Sequence, residues 1–84
     1  MEVKVNLRLL KIEDELEVEL EEGSTIESLL EKLTSIYGED LKRLIGDAEK
    51  GFRVIVMANA EMVKYDQRLK DKDELSLILP VAGG

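Results

Sequence analysis

Along the first strand-like stretch, Val3, Val5, Leu7 and Leu9 alternate with Lys4, Asn6 and Arg8. A period of two predicts a half-buried strand with its odd positions inward. The polar run Lys11 to Glu15 is the expected turn. Leu16, Val18 and Leu20 then alternate with Glu17, Glu19 and Glu21, which predicts a second strand. The short connection implies an antiparallel hairpin, and the outer glutamates discourage edge-to-edge pairing. After Glu22-Gly23 the period changes. Ile26, Leu29, Leu30, Leu33 and Ile36 or Tyr37 fall at helical spacing, predicting a helix over 25–37 that stops at Gly38. Ser24 or Thr25 can cap it. Ser24, with Glu27 three residues on, is the better capping-box match.

Beyond the helix, Leu41, Leu44 and Ile45 predict a short second helix, and Gly46 and Gly51 bound a polar stretch that reads as a loop. Phe52, Val54, Val56 and Ala58 alternate with Arg53, Ile55 and Met57, a third strand. Asn59-Ala60 marks a tight turn into a short fourth strand, Glu61-Met62-Val63. Lys64 to Lys72 is polar except for Tyr65 and Leu69, expected to peg this loop to the core. In the last strand, Leu75, Leu77 and Leu79 point one way and Ser76 and Ile78 the other. All helix lies between strands, so it must cover one face of one sheet. Crossing from the first hairpin to a later strand implies at least one parallel pairing. The expected fold is α+β: a mixed sheet of four or five strands, the last beside the first at its centre, with one main helix on one face.

The closing stretch Leu77-Ile78-Leu79-Pro80-Val81-Ala82-Gly83-Gly84 organises the functional reading. Pro80 has no N–H to donate to a ladder and holds Leu79 extended. The expected division is therefore a domain over 1–79 and a projecting tail over 80–84. Five extended residues reach roughly 16–18 Å. Gly83 and Gly84 lack a Cβ and fit a narrow channel. The α-carboxylate at the end has a reference pKa of about 3.5 and is ionised near neutrality. An ionised carboxylate is a poor electrophile and must be activated, for instance as an acyl-adenylate. Nothing in the chain supplies that activation, so the chain is not catalytic alone and a partner enzyme is implied.

Composition narrows the classes. Eighty-four residues suffice for one core. With no Cys and no His there is no disulfide framework, no zinc site of the usual kind, no thiol nucleophile and no imidazole base. Absence of Cys fits a cytoplasmic setting. No apolar run approaches a membrane span and no signal peptide opens the chain, which predicts a soluble protein. The net charge of −7 opposes nucleic acid and anionic membranes as partners, and instead suits a partner with a basic docking surface. Asp71 and Asp73 could suggest a metal pair, but two surface aspartates in a turn are usually just solvated. Asp66 and Tyr65 read as a loop anchor.

These residues resemble the small ubiquitin-like sulfur carriers of the β-grasp fold, the MoaD/ThiS family, and most closely the small subunit of molybdopterin synthase. The resemblance rests on Asn59-Ala60-Glu61-Met62-Val63, on Leu69-Lys70-Asp71-Lys72-Asp73-Glu74-Leu75, and on Leu79-Pro80-Val81-Ala82-Gly83-Gly84. The opening strand and Gly23-Ser24-Thr25-Ile26 add support. This chain departs from the family pattern at Ala60 and Lys72, where relatives often carry Gly. It departs again at Leu79, where they commonly have a first proline, and at Arg8, where some carry an aromatic. The resemblance implies adenylation of Gly84 by an E1-like enzyme (MoeB-like) that uses ATP, then conversion to a thiocarboxylate by a sulfur donor. The tail would then enter a large synthase subunit (MoaE-like) for molybdenum or tungsten cofactor synthesis. Gly84 would react, with Gly83, Ala82, Val81 and Pro80 as the stalk. Met62 and Ile78 face outward and are candidates for docking. No cofactor or metal would be bound by the chain itself. Two other readings share the same tail chemistry: a protein modifier conjugated through Gly84, and a carrier for another pathway such as thiazole synthesis.

Overall fold

The computed structural model describes residues 1–80. Two long strands open it, β1 (Glu2–Arg8) and β2 (Glu13–Glu19), paired antiparallel from Glu2↔Glu19 to Arg8↔Glu13. The turn between them is Leu9 to Ile12, closed by the Leu9 N–H donating to the Ile12 carbonyl at 3.0 Å. It lies earlier than the polar run suggested, because long pairing recruits Glu13, Asp14 and Glu15 as solvent-facing strand residues.

Helix α1 (Ile26–Tyr37) follows, and α2 (Glu39–Ile45) continues after Gly38, whose φ of 74° is open to glycine. The α1 cap corrects the expectation of Ser24: the Thr25 hydroxyl oxygen accepts from the Ser28 N–H at 3.2 Å. The reason is tertiary. The Ser24 N–H bonds the Glu21 carbonyl and the Ser24 carbonyl accepts from Leu69 N–H, while the Gln67 and Tyr65 carbonyls take the N–H groups of Ile26 and Glu27. The loop thus fills the open donors of the helix start.

Residues read as a loop form a small hairpin, β3 (Gly46–Asp47) with β4 (Gly51–Phe52). A Cβ on Gly46 would run into the Gly51 carbonyl, so glycine permits this approach. Phe52 belongs to that hairpin, and the third long-range strand, β5 (Ile55–Ala58), starts later than alternation suggested. It turns at Asn59-Ala60 into β6 (Glu61–Val63), and β7 (Glu74–Ile78) closes the sheet.

The five-stranded order is β2-β1-β7-β5-β6, with β1 and β7 parallel and the other pairs antiparallel. The last strand lies beside the first at the centre, as expected. Val3, Val5, Leu7, Val56, Leu75 and Leu77 meet Ile26, Leu29, Leu30 and Leu33 in one buried core. Leu41 and Ile45 of α2 extend it. Leu69 is buried and Tyr65 packs against the cluster, both as expected of pegs. The Tyr65 hydroxyl donates to the Val54 carbonyl at 2.6 Å and accepts from the Val54 N–H at 3.0 Å, and its ring packs edge-on to Phe52. No helix among the described residues is long and apolar enough to cross a membrane.

Candidate partner-docking site

Because β7 is flanked by β1 and β5, the point where it passes to Leu79 and Pro80 lies mid-sheet. Ile78 is in register with Arg8 on one side and Ile55 on the other. The β1–β2 turn stands at the same end, and at its tip Leu10 is 85% exposed. Pro80 is exposed as well.

The sheet face turned away from α1 carries the candidate surface. Met57 is the register partner of Met62 on one side and of Ser76 on the other, so Ile55, Met57, Met62 and Ile78 share this face. Met62 is 71% exposed and Ile78 37%, both outward as expected. A depression of about 340 Å³ opens between Arg8, Met57, Ala60, Glu74, Ser76 and Ile78. A second, about 300 Å³ and largely apolar, lies between the start of β5 and the Met62–Tyr65 segment. Exposed apolar side chains gathered on one face and rimmed by Arg8 and Glu74 form a surface suited to protein recognition. Met adds adaptability at such surfaces.

Ile55, Met57 and Leu10 were not singled out from sequence. The first two alternate with the inward Val54, Val56 and Ala58, and only the register across the Asn59-Ala60 turn sets them beside Met62, which has the opposite parity. Leu10 had one local signal: an apolar residue at an even position, breaking the odd-inward rule of the first strand.

The acidic residues of the last loop act on the backbone. Asp71 Oδ1 accepts from the Glu2 N–H at 2.8 Å, and this bond, helped by Lys72 and the N-terminal charge, holds the carboxyl below its ordinary range. Asp73 accepts from the Lys70 N–H at 2.8 Å and from the Asn59 side-chain amide at 3.3 Å. Among the described residues, no group of three or more His, Cys, Asp or Glu is arranged to hold a metal ion. Val81, Ala82, Gly83 and Gly84, the remaining site residues expected from sequence, lie outside the described residues.

The sequence profile of the ThiS family matches residues 3–84. The chain belongs to the ThiS family. Its architecture is the ubiquitin-like β-grasp. Among solved structures, a Pyrococcus furiosus protein assigned as subunit 1 of a molybdopterin converting factor superposes with TM-score 0.72 at 28% identity, over 95% of this chain and 98% of that one. Small archaeal modifier protein 1 of Haloferax volcanii gives TM-score 0.76 at 21% identity, covering 95% and 98%. A chain from the complex of subunits 1 and 2 of the Helicobacter pylori molybdopterin-converting factor gives 0.67 at 24% identity, with both chains fully covered. The last two likenesses concern the fold alone. A search of curated proteins gives no match. As a ThiS family member, the chain falls among the ubiquitin-like sulfur carriers.

Proposed function

We propose that this ThiS family protein is a cytoplasmic sulfur carrier acting as the small subunit of a molybdopterin synthase, with Gly84 as its reacting residue. The observation that carries this reading is the family match, which runs through the Gly83-Gly84 pair. The Pyrococcus furiosus relative, at 28% identity, supports the molybdopterin assignment. In the proposed cycle an E1-like partner joins the Gly84 carboxylate to AMP from ATP, releasing pyrophosphate. Sulfide equivalent from a donor attacks the carbonyl carbon; a C–S bond forms, the C–O bond to AMP breaks, and AMP leaves. The thiocarboxylate sulfur then bonds to a carbon of the pterin precursor in the large subunit and displaces an oxygen leaving group; water cleaves the acyl C–S bond, so the sulfur stays on the pterin and the Gly84 carboxylate is restored. Residues 80–84 serve as the stalk, while Met62, Ile78, Ile55, Met57 and Leu10 hold the partner.

The test is reconstitution with radiolabelled sulfide, ATP, the adenylating enzyme, the large subunit and pterin precursor. Label appearing in the pterin product, separated from free sulfide, only when all are present supports the proposal. Accumulation of covalent protein adducts through Gly84, with no labelled pterin, would replace it with the modifier reading.

A further inference from the structure

The net charge of this chain points toward basic partners, yet one groove carries the opposite sign. It measures about 540 Å³ and lies between α2 and the β3–β4 hairpin. Lys42, Arg43, Lys50 and Arg53 line it against only Glu39 and Asp47. That is four of the twelve basic residues of a chain with 19 acidic ones. Lys42 makes a long 3.9 Å contact with Glu39. Arg43, Lys50 and Arg53 make no ion pair among the described residues. The acidic lining is partly engaged, since Asp47 Oδ1 accepts from the Lys50 N–H at 2.8 Å.

The position of Lys42 and Arg43 in the last turn of α2 suits its dipole. That does not explain Lys50 and Arg53, which converge from the hairpin. The frame is firm: Leu41 and Ile45 are fully buried, and the Arg53 N–H donates to the Ile45 carbonyl at 2.6 Å. Arg53 stands two residues before Ile55, the register partner of Ile78. The Arg53 side of the groove therefore lies next to the end of the sheet where β7 passes to Pro80.

We propose that this groove docks a carboxylate-rich segment of a protein partner that approaches that end of the sheet. Two guanidinium forks and two ammonium groups match several carboxylates spaced along a segment. Against an otherwise acidic surface, the groove fixes where such a segment can settle, so its main effect is on orientation. That a partner comes to this end rests on the proposed function; the charge match does not.

The experiment is an amide chemical-shift titration of the full chain with acetylated hexaglutamate amide, at low salt where screening is weak. The expected result is saturable shifts confined to residues 42–53, with affinity falling about tenfold or more in Arg43→Glu/Arg53→Glu, a change of roughly 1.4 kcal/mol. Both side chains are exposed, and unchanged shifts at Val5 and Leu77 verify the fold. Arg43→Gln/Arg53→Gln should fall between wild type and reversal. Three results would each overturn the proposal: no saturable shifts, equal shifts in the reversal variant, or inorganic pyrophosphate saturating the same amides at lower concentration. The last would assign the groove to phosphate ligands. None of these outcomes depends on thiocarboxylate formation, so failure of the sulfur-carrier reading is distinguishable.

Discussion

Arg8 and Ile78 are register partners across the parallel β1–β7 pair, which sets a cation and an exposed apolar side chain together where the central strand ends. Leu10 stands at the tip of the adjoining turn. Leu10→Ser and Ile78→Glu should each lower kcat/KM for adenylation by the partner enzyme about tenfold, the loss of a modest interface anchor. For Leu10→Ser, unfolding stability should stay within about 0.5 kcal/mol, since exposed substitutions seldom cost more. Ile36→Ser is the control: Ile36 is 54% exposed but on α1, across the sheet, and kcat/KM should not move. Steady-state kinetics beside urea titrations check all three.

Asn59, Ala60 and Lys72 have φ of 50°, 71° and 70°, where a Cβ is strained. These turns are thus tight and strained at two of the positions where relatives often carry glycine. Ala60→Gly should stabilise by roughly 1 kcal/mol and raise Tm by about 4–8 °C. Gly46→Ala should do the reverse, costing roughly 2 kcal/mol or more, because it adds a clash with the Gly51 carbonyl to a φ of 89°. Differential scanning calorimetry reads both.

The Tyr37 hydroxyl donates to Asp14 Oδ2 at 2.6 Å, tying the end of α1 to β2. Burial and then Asp14 push the tyrosine up to about 12 from 10.0, while the same bond and the Glu15 N–H hold Asp14 below 3.8. A raised folded pKa contributes stability below the unfolded value, lost as pH rises through the folded one. A lowered carboxyl contributes stability above its unfolded value, lost as pH falls through the folded one. The stability gap between wild type and Tyr37→Phe should therefore be flat from about pH 5 to 9. It should narrow between 10.0 and about 12, and again below 3.8. Denaturant unfolding of both proteins across pH measures this gap.

Much of the fold was legible because its strands are half-buried and its main helix lies on one face. Val3, Val5 and Leu7 declared their inward side, and Leu29, Leu30 and Leu33 declared the helix. What failed was decided by non-local partners. Ser24 looked like the cap until the loop carbonyls of Tyr65 and Gln67 met the helix start. The Gly46–Phe52 hairpin depends on two glycines approaching across a polar turn, which no periodicity records. The docking face was half legible. Met62 and Ile78 stood out singly, but Ile55 and Met57 join them only through strand register. The groove of Arg43 and Arg53 was not legible, because helix and hairpin must meet to form it.

Shortening the tail should separate folding from function. Deleting Gly84 should leave Tm unchanged while abolishing activation, and Gly83→Val should block activation by filling a channel that glycine fits. Thermal melts and an adenylation assay, run on both variants, check this. Normal activation of Gly83→Val would contradict the narrow-channel idea.

The most direct measurement of the central claim is intact mass after incubation with ATP, a sulfide source and the adenylating enzyme from the same cell, followed by fragmentation of the C-terminal peptide. The expected result is a gain of about 16 Da, one oxygen exchanged for sulfur, located on Gly84 and absent without ATP. An unchanged mass with the matched, active enzyme would contradict the sulfur-carrier function.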